Sequence, residues 1–198
     1  MPFFIITAQR REFLQASPLR FSPQADIIGF DSRLCGRPFR NDEHDSKERM
    51  LMDRCALAYQ YHREGYNCAQ SVAAACADLV GWEPDRLMAA AGGFGGGIGG
   101  SHEELCGAIS GGILVLSLLY PHVNGKDSDA KRAVYARAKE FRRRFLDIFG
   151  ESRCGSLLRA RPGVSEKTTA AGRLGISAHC DVMIVTAVEI LEDMLAEG

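Results

Sequence analysis

The chain has 198 residues, 46% hydrophobic and 25% charged, so it can form one domain around a buried core without disulfide cross-links. A net charge of −1 gives no overall positive field that would attract nucleic acid or an anionic membrane. The seven cysteines are an unusual number for such a chain, and they indicate thiol or metal chemistry instead of a cross-linked framework.

The N-terminal segment shows no sustained helical or strand period, and we predict an irregular tail over residues 1–45. Residues 10–14, Arg-Arg-Glu-Phe-Leu, resemble the core of a twin-arginine export signal. The apolar segment that should follow is missing, because residues 16–31 contain prolines and charged side chains. We therefore expect a cytoplasmic protein, with export through this N-terminus as the alternative.

Residues 46–198 show helical spacing of apolar side chains, without an alternating strand pattern. Helix starts are predicted at capping residues, namely Asp45 with Glu48, Asn67 with Gln70, Pro84, Ser101 with Glu104, Asp127 or Ser128, and about Ser177. Predicted helix ends are Gly65, Gly81, Ala91, Pro121, Gly150 and Ala196. This pattern predicts an all-α fold, a single compact helical domain of about five to six helices.

A glycine-rich loop interrupts the helices, since ten of the 21 glycines lie between Gly92 and Gly112. Gly95, Gly97 and Gly100 match the spacing Gly-x-Gly-x-x-Gly, but no strand precedes them and no βαβ unit surrounds them. We therefore reject a dinucleotide site. The backbone of the loop can approach another part of the protein closely, either a packed helix or a bound centre.

Two further segments bear on partners. The longest apolar stretch, residues 113–120, is far shorter than the roughly 20 residues of a membrane-spanning helix, so we predict a buried helix. The helix predicted from Asp127 carries a basic cluster mixed with acidic side chains and without an aromatic platform. We interpret it as a solvated or partner-docking face, not a nucleic-acid face. The cluster comprises Lys131, Arg132, Arg137, Lys139, Arg142, Arg143 and Arg144.

Position along the predicted helices divides the cysteines into groups. Cys55 and Cys76 fall inside helices and are predicted core residues, while Cys35 falls in the tail. Four others lie at or near helix starts, where backbone N–H groups stabilise a thiolate that acts as nucleophile or metal ligand. These four are Cys68, Cys106, Cys154 and Cys180, of which Cys106 is the least favourably placed, one turn inside the helix predicted from Ser101.

Two short motifs carry a resemblance to a known family. Residues 65–70 read Gly-Tyr-Asn-Cys-Ala-Gln, and residues 106–111 read Cys-Gly-Ala-Ile-Ser-Gly, a Cys-Gly-Ala-x-x-Gly motif. With Cys154 and Cys180, they resemble the C-GCAxxG-C-C family of redox-active proteins over about residues 48–197. The resemblance implies that its four cysteines correspond to Cys68, Cys106, Cys154 and Cys180, as redox or metal-binding residues.

Some members of this family are described as selenoproteins, which favours redox chemistry. The family is also similar to part of the split-Soret cytochrome, where such cysteines are associated with an iron–sulfur centre. This chain has no Cys-x-x-Cys-His, so the resemblance does not imply haem.

Small residues of the motif are expected to form part of the binding site. Gly107 and Gly111 share a helix face, and Ala108 keeps the neighbouring position small. A bulky residue at Gly111 is expected to block whatever approaches the motif cysteine, with simple helix packing as the alternative. His102 lies near Cys106 in the sequence, and His179 lies next to Cys180. Each histidine is expected to tune a thiolate or replace a ligand, with a solvated side chain as the alternative.

Three functions remain open for the four cysteines. The first is electron transfer through a cysteine-ligated iron–sulfur cluster, expected to be [2Fe–2S]. The second is thiol–disulfide chemistry without a cofactor, and the third is a structural zinc or disulfide site without turnover. Either redox function requires a redox partner protein, whose identity the sequence leaves open. The sequence predicts neither a substrate nor an oligomeric state.

Overall fold

The computed structural model describes residues 53–197, which are all-α, as the sequence predicts. Over these residues the only β-type pairing is one isolated bridge. The predicted tail over residues 1–45 and the helix start at Asp45 lie outside the described residues. The helices are α1 Arg54–Arg63, α2 Cys68–Ala75, α3 Ala77–Val80, α4 Pro84–Ala91, α5 Gly107–Leu119, α6 Ser128–Phe149, α7 Cys154–Ala160, α8 Thr169–Arg173 and α9 His179–Ala196.

Several helix boundaries lie at the capping residues that the sequence shows. The Asn67 side chain accepts hydrogen bonds from the first turn of α2, and the Gln70 side chain accepts one from the Asn67 backbone. Helix α4 begins at Pro84. Helix α6 begins directly after its N-cap, Asp127, and ends directly before its C-cap, Gly150. The φ of Gly150, 71°, is left-handed and terminates the helix. These predicted boundaries are confirmed.

The core lies where α2, α5 and α9 pack together. Residues 71–75 of the alanine-rich α2 are all buried, and their small side chains allow the neighbouring helices to approach closely. Helix α6 contributes Phe141 and Phe145, both fully buried. Burial of each such side chain stabilises the fold by about 2–3 kcal/mol before the entropy cost of ordering it.

Three features differ from the predicted helices. The helix expected from Asn67 to Gly81 breaks at Cys76, whose backbone angles (φ −100°, ψ 17°) are not helical, and α3 then packs against α5. Helix α8 was not predicted, and of α7 only a start near Ser152 was predicted, because five and seven residues are too few to show a helical period. Helix α9 begins at His179 instead of Ser177. The described residues therefore contain nine α-helices, not five to six.

Arg54 connects α1 to two other helices. Its Nε lies 3.0 Å from Oδ1 of Asp78 on α3, and its Nη1 lies 2.8 Å from Oε1 of Glu192 on α9. Hydrogen bonds to these two carboxylates raise the pKa of Arg54. A cation in the first turn of a helix opposes the helix dipole, and the two carboxylates offset that cost.

The apolar stretch near residue 115 forms most of α5, a buried helix as predicted. Val115 and Leu116 are almost completely buried. Across residues 53–197, each helix is too short or too polar to cross a lipid bilayer.

Candidate functional site

The four cysteines of the motif pattern each lie at the start of a different helix. Cys68 and Cys154 are the first residues of α2 and α7. Cys180 is the second residue of α9, and Cys106 is the N-cap of α5. Backbone N–H groups without a helical partner occupy these helix ends and stabilise negative charge nearby. The predicted location near helix starts is therefore correct for all four cysteines.

The predicted start of α5 is wrong, and the error concerns the motif cysteine. The sequence placed this start at Ser101 with Glu104, whereas α5 begins at Gly107. Residues 96–100 all have positive φ angles, between 58° and 74°, which a right-handed helix does not allow. The Ser101 hydroxyl instead donates to the carbonyl of Gly97 in the glycine-rich loop and accepts from the backbone N–H of Glu103. Cys106 consequently lies at the helix end, not inside the helix.

Main-chain hydrogen bonds hold Cys106 and Cys154 side by side. The backbone N–H of Cys106 donates to the carbonyl of Ser152 at 2.8 Å, and that of Cys154 donates to the carbonyl of Glu104 at 2.9 Å. The residues between these bonds form the isolated antiparallel bridge. Because the connection is made by the backbone, the positions of these two cysteines do not depend on the bridging side chains.

The glycine-rich loop packs against the helix ends that carry Cys68 and Cys154. A Cβ atom added to Gly95 would lie 2.2 Å from Cγ of Asn67, the N-cap of α2. A Cβ atom added to Gly97 would lie 2.8 Å from Cβ of Cys154. Both separations are far below van der Waals contact. The loop thus approaches the cysteine-bearing helix ends, which explains why it is built from glycine.

The Cys-Gly-Ala-x-x-Gly motif packs α5 against α2. A Cβ atom on Gly107 would lie 2.2 Å from Sγ of Cys68, so this sulfur occupies the space beside the start of α5. A Cβ atom on Gly111 would lie 2.6 Å from the carbonyl oxygen of Ala69. Ala108 is fully buried in the core. A bulky residue at Gly111 would therefore separate two helices, and the expectation that it selectively blocks the motif cysteine is not supported.

Burial and neighbouring charge oppose ionisation of three of these thiols. Burial, together with negative charge on Cys68 and Cys154, raises the pKa of Cys106 to about 12 and that of Cys180 to about 11. The pKa of Cys154 is raised by burial and then by charge on Cys68. Negative charge on Cys68 therefore opposes ionisation of each of the three other thiols.

One of the two histidines near the cysteines contacts a sulfur. Nδ1 of His102 lies 3.4 Å from Sγ of Cys154. The His102 backbone donates to Gly96 and accepts from Gly155, at 2.8 and 2.7 Å, and its φ of 61° is unusual for a residue with a side chain. Within residues 53–197, the side chain of His179 makes no hydrogen bond to sulfur, although it precedes Cys180.

A second polar pair near the cysteines was not predicted. Asp181 follows Cys180 and is only 5% exposed, and its Oδ1 lies 2.5 Å from Nδ1 of His62 on α1. The two residues are 119 positions apart, so no spacing in the sequence could reveal the pair. The contact ties α1 to the first turn of α9, beside one of the four cysteines.

The four helix-start cysteines are not arranged around one point. No three His, Cys, Asp or Glu side chains among residues 53–197 are grouped so that they could hold a single metal ion. All six cysteines in this part of the chain are free thiols. The site is therefore a loose cluster of thiols rather than a preformed mononuclear centre.

The cysteines predicted to be core residues are in the core. Cys55 and Cys76 are 2% and 0% exposed. Burial raises the pKa of both thiols, that of Cys76 to about 12. Cys35, placed in the tail by the sequence, lies outside the described residues.

Comparison with known proteins gives one match. A family model described as "Putative redox-active protein (C_GCAxxG_C_C)" matches residues 66–194, more than half of the chain. This span includes the glycine-rich loop and all four cysteines at helix starts. No curated protein and no solved structure matches the chain. The chain therefore belongs to the C_GCAxxG_C_C family.

Proposed function

We propose that this chain is an electron-transfer protein whose four helix-start cysteines ligate an iron–sulfur cluster of the [2Fe–2S] type. The ligands are Cys68, Cys106, Cys154 and Cys180. The principal support is geometric: each of four helices begins at or next to one of these cysteines, the backbones of Cys106 and Cys154 are held side by side, and the Cys68 sulfur lies against Gly107. When bound, such a cluster accepts and releases one electron.

Four thiols suit both a cluster and structural zinc, and the grouping of the donors favours the cluster. Four thiols are the usual ligands of iron–sulfur clusters. A zinc ion with Zn–S bonds of about 2.3 Å would need four sulfurs about 3.8 Å apart. No three donors among residues 53–197 are grouped for a single ion. A cluster places several metal and sulfide atoms between its ligands, so it tolerates wider separations between the sulfurs.

Two properties of the surroundings would shift the potential of such a centre in opposite directions: burial disfavours the more negative reduced form, and the helix ends favour it. Cys106 and Cys154 are buried at the N-terminal ends of α5 and α7. These helix ends carry partial positive charge, which stabilises the more negative reduced state. The imidazole of His102, beside the Cys154 sulfur, is a further group that can tune the potential.

Thiol–disulfide chemistry is the second candidate, and one contact favours a particular pair. Sγ of Cys68 lies beside Gly107, the residue that follows Cys106. A disulfide between Cys68 and Cys106 would form with loss of two protons and two electrons to an oxidant. The pKa of Cys106, about 12, disfavours this thiol as the one that attacks a disulfide at neutral pH. We place this function second because the contact involves only two of the four helix-start cysteines.

The test is anaerobic purification followed by an absorption spectrum, assays of iron, zinc and acid-labile sulfide, and counts of free thiols before and after reduction. We expect a brown protein with about two iron and two sulfide per chain. Colourless, metal-free protein that gains thiols on reduction would favour the second candidate instead. One zinc per chain without a redox response would contradict both and favour a structural site.

Matched variants assign the ligands. Serine substitutions at Cys68, Cys106, Cys154 and Cys180 are expected to abolish or strongly change the absorption of the cluster. Alanine substitutions at Cys55 and Cys76 provide controls of the same residue type, and they should leave iron and sulfide unchanged. The assignment would be wrong if the core variants lost the cluster while the helix-start variants kept it.

A further inference from the structure

A partly apolar groove lies beside the basic cluster of α6. It has a volume of about 430 Å³ and lies between α5 and α6. Its lining combines apolar Ile113, Tyr135 and Leu146 with basic Lys139, Arg142 and Arg143. Tyr135 is 56% exposed, so an aromatic surface is open to a partner.

The groove keeps a net positive charge. Glu140 and Asp147 pair with Arg143. In contrast, Lys139 and Arg142 take part in none of the salt bridges formed within residues 53–197. Two such cations next to apolar surface favour a partner that presents both carboxylates and apolar side chains.

The groove is connected to one of the four cysteines, Cys106. Nη2 of Arg142 lies 3.4 Å from Oγ of Ser152, and the Ser152 carbonyl accepts the hydrogen bond from Cys106. Ile113 follows Cys106 by two turns of α5, about 10 Å along the helix. Arg142 and Ser152 therefore connect a protein bound in the groove to Cys106.

We propose that this groove docks an acidic protein that carries a one-electron centre. Its carboxylates pair with Lys139 and Arg142, and its apolar side chains cover Ile113 and Tyr135. One electron passes from the reduced partner, which becomes oxidised, to the cysteine centre, which becomes reduced. The inference rests on the proposed redox function and names the class of partner that the centre uses.

A reduced plant-type [2Fe–2S] ferredoxin, an acidic one-electron carrier, is a suitable probe. Its binding to the full chain is measured by calorimetry at low ionic strength, and its oxidation is followed by absorption. The double variant Lys139→Glu with Arg142→Glu is expected to weaken binding at least about tenfold, and Lys139→Glu alone about threefold. Binding by the unmodified chain should weaken markedly as salt is added.

A control with the same change of charge distinguishes the groove from the helix as a whole. Lys126→Glu with Arg132→Glu alters exposed cations at the N-terminal end of α6, outside the lining of the groove, and should change binding less than threefold. Equal loss in both double variants, or no binding by the unmodified chain, would overturn the proposal. Two other outcomes would also overturn it, because each shows a different occupant of the groove. One is a dimer of the unmodified chain in sedimentation that is dissociated by the groove variant, and the other is cross-linking of the groove to residues 1–52.

Iron content, measured on the same samples, separates this inference from the proposed function. Charge-dependent binding by a chain without iron would support the docking surface and contradict the cluster. A chain that contains iron and sulfide, but whose binding is insensitive to the groove variant, would contradict the docking surface alone.

Discussion

At Gly107 the absence of a side chain leaves room for a sulfur. Sγ of Cys68 lies where a Cβ atom on Gly107 would be, and the Ala69 nitrogen and the Gly95 Cα lie 3.1 Å from the same point. Gly112, one turn further along α5, faces the buried ring of Phe141 instead. Two glycines of one helix thus adjoin different parts of the molecule, the cysteines and the core.

Gly107→Ala is expected to change the centre more than the stability. The added methyl group must displace Sγ of Cys68, while alanine in the first turn of α5 favours the helix. We expect loss of the cluster absorption, or altered reactivity of the Cys68 thiol, with a free energy of unfolding within about 1 kcal/mol of the original. Absorption, thiol labelling and urea denaturation measure these effects.

Gly112→Ala is the matched control, because it adds the same atoms to the same helix. Its methyl group would overlap the Phe141 ring, and overpacking of a core typically costs about 1–3 kcal/mol. The centre should remain intact in this variant. Equal effects of the two substitutions on the centre would contradict a specific role for Gly107.

His102 provides a test of how the protein tunes the sulfur of Cys154. His102→Asn keeps a residue that accepts a left-handed backbone but removes the imidazole near the sulfur. Loss of a hydrogen bond worth about 1 kcal/mol is expected to lower the midpoint potential by about 40 mV, measured by redox titration. His179→Asn, next to Cys180, should leave the potential unchanged. A shift of the same size in both variants would contradict the contact with Cys154.

At the level of helices, cysteine positions follow from how each helix begins. Capping by Asn67 fixes the first turn of α2 and with it Cys68. The left-handed backbone of residues 96–100 delays the start of α5 until Gly107, which leaves Cys106 at the helix end. The capping pair of α2 could be predicted, whereas the backbone of the glycine loop could not, because its close contacts involve distant residues.

The ion pairs of Arg54 connect three helices, and their removal should weaken the fold. Arg54→Met is expected to lower the free energy of unfolding by about 2 kcal/mol, because it leaves the carboxylates of Asp78 and Glu192 partly buried without their cation. Urea denaturation measures this change. Arg132→Met removes an exposed pair with Asp129 and should cost less than about 0.5 kcal/mol. Equal costs would contradict a connecting role for Arg54.

For the whole molecule, buried thiols make stability depend on alkaline pH. A thiol with an ordinary pKa near about 8.5 ionises in the unfolded chain. Burial in the folded state raises the pKa of Cys76 to about 12, so there it stays protonated. The unfolded state then binds fewer protons than the folded state, and the free energy of unfolding falls as pH rises from about 9 towards 12.

Cys76→Ala should make this decline less steep. Each fully buried thiol contributes up to about 1.4 kcal/mol per pH unit to the slope in this window. The variant is expected to lose some stability at neutral pH, because a small cavity forms, but its slope above pH 9 should be shallower by about that amount. Metal-free samples of both proteins, unfolded in urea at several pH values, give the comparison. Identical slopes would show that Cys76 also ionises in the folded state.

The sequence alone determined the all-α class, most of the longer helices and the division between core cysteines and helix-start cysteines. These properties depend on side chains close together along the chain, such as the capping pair Asn67 and Gln70. Only the tertiary structure decided that Cys106 pairs by its backbone with the segment before Cys154, that Cys68 fills the space beside Gly107, and that short helices complete the fold. Such contacts join distant segments, and packing of the whole core decides which segments meet.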